Sequence, residues 1–132
     1  MGGHAYQYAV PYQENVQAAL DRLRDDVFQR GDYYGADSRP PTVEDAVRRA
    51  GESGTRSILD IERIAKRPAL RCAAPLSDDE MARYFEGQTR TIAMVEACDD
   101  LWEDLDRGMA RYVLVYENAV PAALVFIGYS FD

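Results

Sequence analysis

The chain has 132 residues, with 23 Asp and Glu against 15 Lys and Arg, a net charge of -8, and 47% apolar residues. That length suits a single domain, 1–132, able to bury roughly two thirds of the surface its unfolded chain exposes without a disulfide framework. The charge opposes nucleic-acid binding, whose affinity comes largely from Lys and Arg displacing counterions, and no apolar run approaches the ~18 residues that would span a bilayer.

The N-terminus, Met1 to His4 and onward, has neither the basic nor the apolar region of a signal peptide, so a cytosolic location is expected. Fourteen arginines and a single lysine, Lys66, suggest a bacterial genome of high G+C content. Residues 5–10 alternate Tyr6, Tyr8 and Val10 against Ala5, Gln7 and Ala9, the period of a strand, and Pro11 ends it. From about Asn15, the apolar positions Val16, Ala19, Leu20, Leu23, Val27 and Phe28 recur at three and four residues. They predict an amphipathic helix stopped by Gly31.

Residues 32–41 hold the turn formers and prolines of a loop. Thr42 then opens a capping-box-like start to a short helix that Gly51 closes. After a second loop, residues 57–64 are ambiguous. Ile58, Ile61 and Ile64 fit a helical stripe, but the β-branched content, the preceding glycines and the nearby Pro68 favour a strand.

Ser77-Asp-Asp-Glu80 is a better capping box, and the helix that follows through about Glu86 should turn Met81, Tyr84 and Phe85 inward. A longer helix is expected from about Thr91 to Arg107, burying Ile92, Val95, Cys98, Leu101 or Trp102, and Leu105, with Gly108 as its stop. The closing segment reads as a hairpin turning at Glu117-Asn118, with apolar residues on both faces of its strands. Such strands are covered on both sides or lie centrally. Pro121 belongs at a strand end or edge because it lacks an N–H. The expected order is β-α-α-β-α-α-β-β, an α+β fold with amphipathic helices on a mainly antiparallel sheet.

Chemistry-bearing groups are sparse. Cys72 and Cys98 sit among apolar neighbours and read as small buried thiols. With His4 as the single histidine, they match no zinc spacing, so neither a metal nor a cofactor is expected. A Cys-His or Ser-His-Asp arrangement would have to recruit that terminal histidine. The glycines and hydroxyls of residues 51–57 lack the lysine of a phosphate loop and read as a turn.

Three readings of function follow. Asp99, Asp100, Glu103, Asp104 and Asp106 crowd one predicted helix, with like charges at i,i+4, and adjacent Tyr33 and Tyr34 lie in a loop where both cannot easily enter one core. The leading expectation is a non-enzymatic, cytosolic, bacterial binding protein of immunity or antitoxin type. Its carboxylates Asp99, Asp100, Glu103 and Asp104 would occlude a basic partner, with Tyr33 and Tyr34 as anchors. The alternative is a small enzyme or small-molecule site using Arg56, Asp60 and Glu62, the two acids sharing one strand face. The third reading is a homodimer whose sheet is completed by the terminal hairpin.

Overall fold

The computed structural model describes residues 3–86 and 89–132, and the fold is α+β. Five strands, β1 (Ala5–Pro11), β2 (Arg63–Ile64), β3 (Cys72–Pro75), β4 (Ala110–Glu117) and β5 (Val120–Tyr129), form one sheet in the order β1-β5-β4-β3-β2. Five helices accompany them among the described residues: α1 (Val16–Arg30), α2 (Val43–Ala50), α3 (Asp78–Phe85), α4 (Ile92–Ala97) and α5 (Asp99–Glu103).

The sheet is mixed, which corrects the mainly antiparallel expectation. β1 and β4 flank β5 antiparallel, whereas β3 lies parallel to both β4 and β2. The difference comes from β3. Its sequence, Cys-Ala-Ala-Pro, is almost fully buried and made of residues with little strand preference, so it carries no alternation to read.

Residues 57–64 also depart from the expected strand. Ser57 caps a 3-10 turn over Ile58–Asp60, accepting from the Leu59 N–H, and Arg63–Ile64 alone are in the sheet. Ser57-Ile-Leu-Asp60 has the Ser-x-x-acid form of a capping pattern, a signal as legible here as at Ser77.

The hairpin forms a two-residue turn with positive φ at Asn118 and Ala119, and the register shifts between Val115 and Tyr116, where Pro121 enters β5. β5 lies between β1 and β4, whereas β4 is paired with β3 over Ala110–Tyr112 alone, so from Val113 onward its one strand neighbour among the described residues is β5.

Alternate residues of these inner strands serve two separate cores. Tyr112, Leu114, Leu124 and Phe126 meet α1, α2 and the 58–61 segment, including fully buried Leu20, Val27, Ile58, Leu59 and Ile61. On the opposite face Val113, Val115, Val125 and Ile127 meet Phe85 of α3, Val95 of α4 and Leu101 of α5. The sheet is therefore covered on both faces, as its two-sided apolar strands require.

The predicted helix 91–107 is two short helices broken at Cys98, whose ψ of 83° is not helical. In one continuous helix the five acids from Asp99 to Asp106 would occupy its C-terminal half, where the macrodipole disfavours negative charge. The break starts a new helix at Asp99 and Asp100, placing both at a positive end.

Candidate functional site

The α5 carboxylates stand on a framework tied to α3. The Tyr84 hydroxyl donates to Asp104, and Arg83 both donates to that hydroxyl at 3.0 Å and lies 3.9 Å from the Asp104 carboxylate. Asp104 thus has partners on α3, although its ion pair with Arg83 is long and exposed. Burial, then the bond to Asp104, raises the Tyr84 pKa. Asp99, Asp100 and Glu103 are exposed, and none has an ion-pair or side-chain hydrogen-bond partner among the described residues.

Beside them the Trp102 indole N–H donates to the Val95 carbonyl at 3.2 Å, fixing the ring edge-on to Tyr129, with centroids 5.9 Å apart at 82°. These rings help wall a cavity of about 280 Å³, also lined by Gly3, Glu103, Leu105, Asp106 and Arg107. Trp102 and Tyr129 carry no site signal in the sequence because each also fits a core position of its element.

Tyr33 and Tyr34 are not part of this surface. Tyr33 stacks on Phe28 at 5.9 Å and packs against the α1–α2 core, across the sheet from Trp102. Tyr34 is 50% exposed, but the Arg56 guanidinium lies 4.2 Å over its ring. The anchor role expected of this pair alongside the α5 acids therefore has no geometric basis.

The Arg56, Asp60 and Glu62 set likewise disperses. Because residues 58–60 turn instead of extending, Asp60 points inward with 1% exposure while Glu62 is exposed. Asp60 Oδ1 accepts from both the backbone N–H and the hydroxyl of Thr55, each at 2.8 Å, and the Thr55 and Ser57 hydroxyls are bonded to each other. Its Oδ2 is buried without a hydrogen-bond partner among the described residues, 2.6 Å from where a side chain on Gly54 would begin. Burial raises the Asp60 pKa, opposed by the Thr55 bonds and by Arg71 and Arg24. Burial, with Asp60 next, pushes the Tyr6 hydroxyl well above its ordinary value. Arg56 turns away to Asp132, at 3.3 Å.

A different charged cleft does form. Arg24, Arg48 and Arg71 line about 580 Å³ with Glu44, Glu62 and Val47. Arg24 donates to the Leu59 carbonyl at 3.0 Å, and burial lowers its pKa against the pull of Glu62 and Asp21.

His4 is exposed beside the carbonyl of Asp132, its Nδ1 2.9 Å from that oxygen. Cys72 is buried, and half-buried Cys98 contacts the Tyr84 carbonyl at 3.8 Å. Among the described residues no group of His, Cys, Asp and Glu is placed to hold a metal, and no helix is long and apolar enough to cross a membrane.

Comparison with known proteins finds no matching family, no matching characterised protein and no matching solved structure.

Proposed function

We propose that this chain is a non-enzymatic, cytosolic, bacterial binding protein of immunity or antitoxin type that occludes a basic partner through the α5 surface. The observation that carries the reading is the juxtaposition of unneutralised Asp99, Asp100 and Glu103 with the cavity walled by Trp102 and Tyr129. A partner's arginine or lysine entering that cavity would share it with Arg107 and would gain cation–π attraction from the rings and charge-assisted bonds from Glu103 and Asp106. Exposed carboxylates around it would steer encounter and set orientation more than they would add affinity. Inhibition follows if the captured side chain belongs to the partner's own working groove.

The test is capture from a bacterial lysate at low and moderate salt, comparing the wild type with Asp99→Lys/Asp100→Lys/Glu103→Lys. A basic protein retained at low salt, released by added salt and missing from the charge-reversed variant supports the proposal. Retention indifferent to both overturns it.

The second reading, a small-molecule or enzymatic site, moves to the cleft of Arg24, Arg48, Arg71, Glu44 and Glu62, whose mixed charges suit a ligand carrying charges of both signs. Protection of these residues by such a ligand, with no effect from the α5 substitutions, would favour it.

A further inference from the structure

The two edges of the sheet are unlike. On one side β2 is only Arg63–Ile64, with Arg63 exposed and Lys66, Arg67 and Pro68 following closely, the features that blunt an edge against pairing. On the other, β1 runs for seven residues, Ala-Tyr-Gln-Tyr-Ala-Val-Pro, with no charge and in unbroken register with β5. A long, uncharged, unbulged edge is an open template for another strand.

Its hydrogen-bonding phase is set by its neighbours. The Tyr12 N–H donates to the Ala122 carbonyl and the Ser130 N–H to the His4 carbonyl, each at 3.0 Å. In antiparallel pairing these bonds alternate, so the even-numbered residues bond to β5 and the peptide groups of Ala5, Gln7 and Ala9 point away from the sheet. Ala5 and Ala9 are exposed and Gln7 is half-buried.

We propose that this edge pairs with β1 of a second copy of the chain, antiparallel and centred on Gln7, joining two five-stranded sheets into one. The strand is self-complementary about that residue. Ala5 falls opposite the partner's Ala9 and Gln7 opposite its counterpart, with each of these residues both donating and accepting. Tyr6 falls opposite the partner's Tyr8 on the α1 face, a cross-strand aromatic pair. Sliding toward the C-terminus by one hydrogen-bonding step would set Pro11, which has no N–H, opposite Ala5, so the Gln7-centred register uses the most peptide groups. At the two-fold axis Gln7 Nε2 donates to exposed Glu96 of α4 at 2.8 Å, so the two Glu96 carboxylates add to the repulsion between the chains that salt would screen. The interface is isologous and closes as a dimer.

Sedimentation equilibrium of the full chain, from low micromolar to high concentration and at two salt concentrations, tests this. Two variants accompany it. Ala9→Pro removes an outward N–H while leaving the β5 bonds intact, and Gln7→Glu adds a second carboxylate beside Glu96 and opposite its counterpart at the two-fold axis. The expected result is a monomer–dimer equilibrium that strengthens with salt, and a dimerisation constant weakened roughly tenfold or more by either variant. Amide exchange should slow at Ala5, Gln7 and Ala9 as concentration rises. A wild type that stays monomeric throughout, or a dimer unaffected by Gln7→Glu in a folded variant, overturns the proposal. An edge that takes up an added extended peptide but not a second copy also overturns it.

Discussion

Replacing Glu80 by Gln isolates one ion pair whose geometry permits a signed forecast. Arg111 on β4 holds Glu80 in a two-point fork, Nη1 to Oε2 at 3.0 Å and Nη2 to Oε1 at 2.6 Å, while also donating to the carbonyls of Ala74 and Pro75. Glu80 Oε1 accepts in addition from the Ser77 N–H, completing the capping box of α3. The Arg111 fork is the main reason the Glu80 carboxyl falls from an ordinary 4.5 to about 2. Linkage sets a ceiling of about 3 kcal/mol on the stabilisation at neutral pH. With 23% of the Glu80 side chain and 11% of the Arg111 side chain exposed, solvent screening brings the expected value to about 1–2 kcal/mol. Because the folded value lies below the unfolded one, this contribution is present above pH 4.5 and is lost as pH falls toward about 2. Glu80→Gln keeps an acceptor for the cap but removes the charge. Urea unfolding of both proteins between pH 7 and pH 2 should show a gap of about 1–2 kcal/mol at neutral pH that closes in acid. A gap of constant size across that range would refute the assignment to Arg111.

Gly108 has φ of +76°, and a Cβ there would lie 2.3 Å from the Phe131 ring. Gly108→Ala should therefore cost about 3 kcal/mol in chemical denaturation, falling to about 1 kcal/mol in a Phe131→Ala background where only the backbone penalty survives. Asp60→Ala should cost about 2–4 kcal/mol by stranding the buried N–H and hydroxyl of Thr55, and Asp60→Asn should cost less because one acceptor remains. Burial raises the Asp60 pKa, so the wild type gains stability from this group as pH falls through its raised folded value, opposite in sign to Glu80; Asp60→Asn should lack that component in the same urea series. Trp102→Phe keeps an aromatic wall but removes the bond to Val95, and should cost about 1 kcal/mol in thermal unfolding while weakening capture of a basic partner.

The elements legible in the sequence were those with a solvated side. α1 shows its apolar stripe because Asp21, Arg22, Asp25 and Asp26 remain in water, and α3 shows its start because Ser77 and Glu80 cap it reciprocally. β3 was illegible because burial on both faces erases alternation and because Ala and Cys have little strand preference. The 58–60 turn was obscured for another reason: Ile58, Ile61 and Ile64 recur at a helical spacing within a β-branched segment, while the Thr55 hydroxyl bonded to Asp60 and the Ser57 hydroxyl bonded to the Leu59 N–H hold its path. That turn separated Asp60 from Glu62. At the α5 surface the acids were legible as a local run, whereas the cavity beside them depends on Tyr129 arriving from the last strand, a contact that local pattern does not encode.

The same charge sets two associations against each other. A net charge of -8 favours capture of a basic partner at low salt, with attraction fading as ions screen Asp99, Asp100 and Glu103. For two identical chains it is a repulsion, so pairing through β1 is weakest at low salt and strengthens as salt is added. The two equilibria therefore move oppositely along a single salt titration. The substitutions that probe them occupy separate elements, α5 for the partner and β1 for the second copy. Charge reversal at Asp99, Asp100 and Glu103 should abolish capture and, by bringing the net charge closer to zero, ease dimerisation at low salt. Gln7→Glu should do neither. If both associations instead rose or fell together with salt, charge would not be what governs them, and the α5 surface would lose its claim to be the binding site.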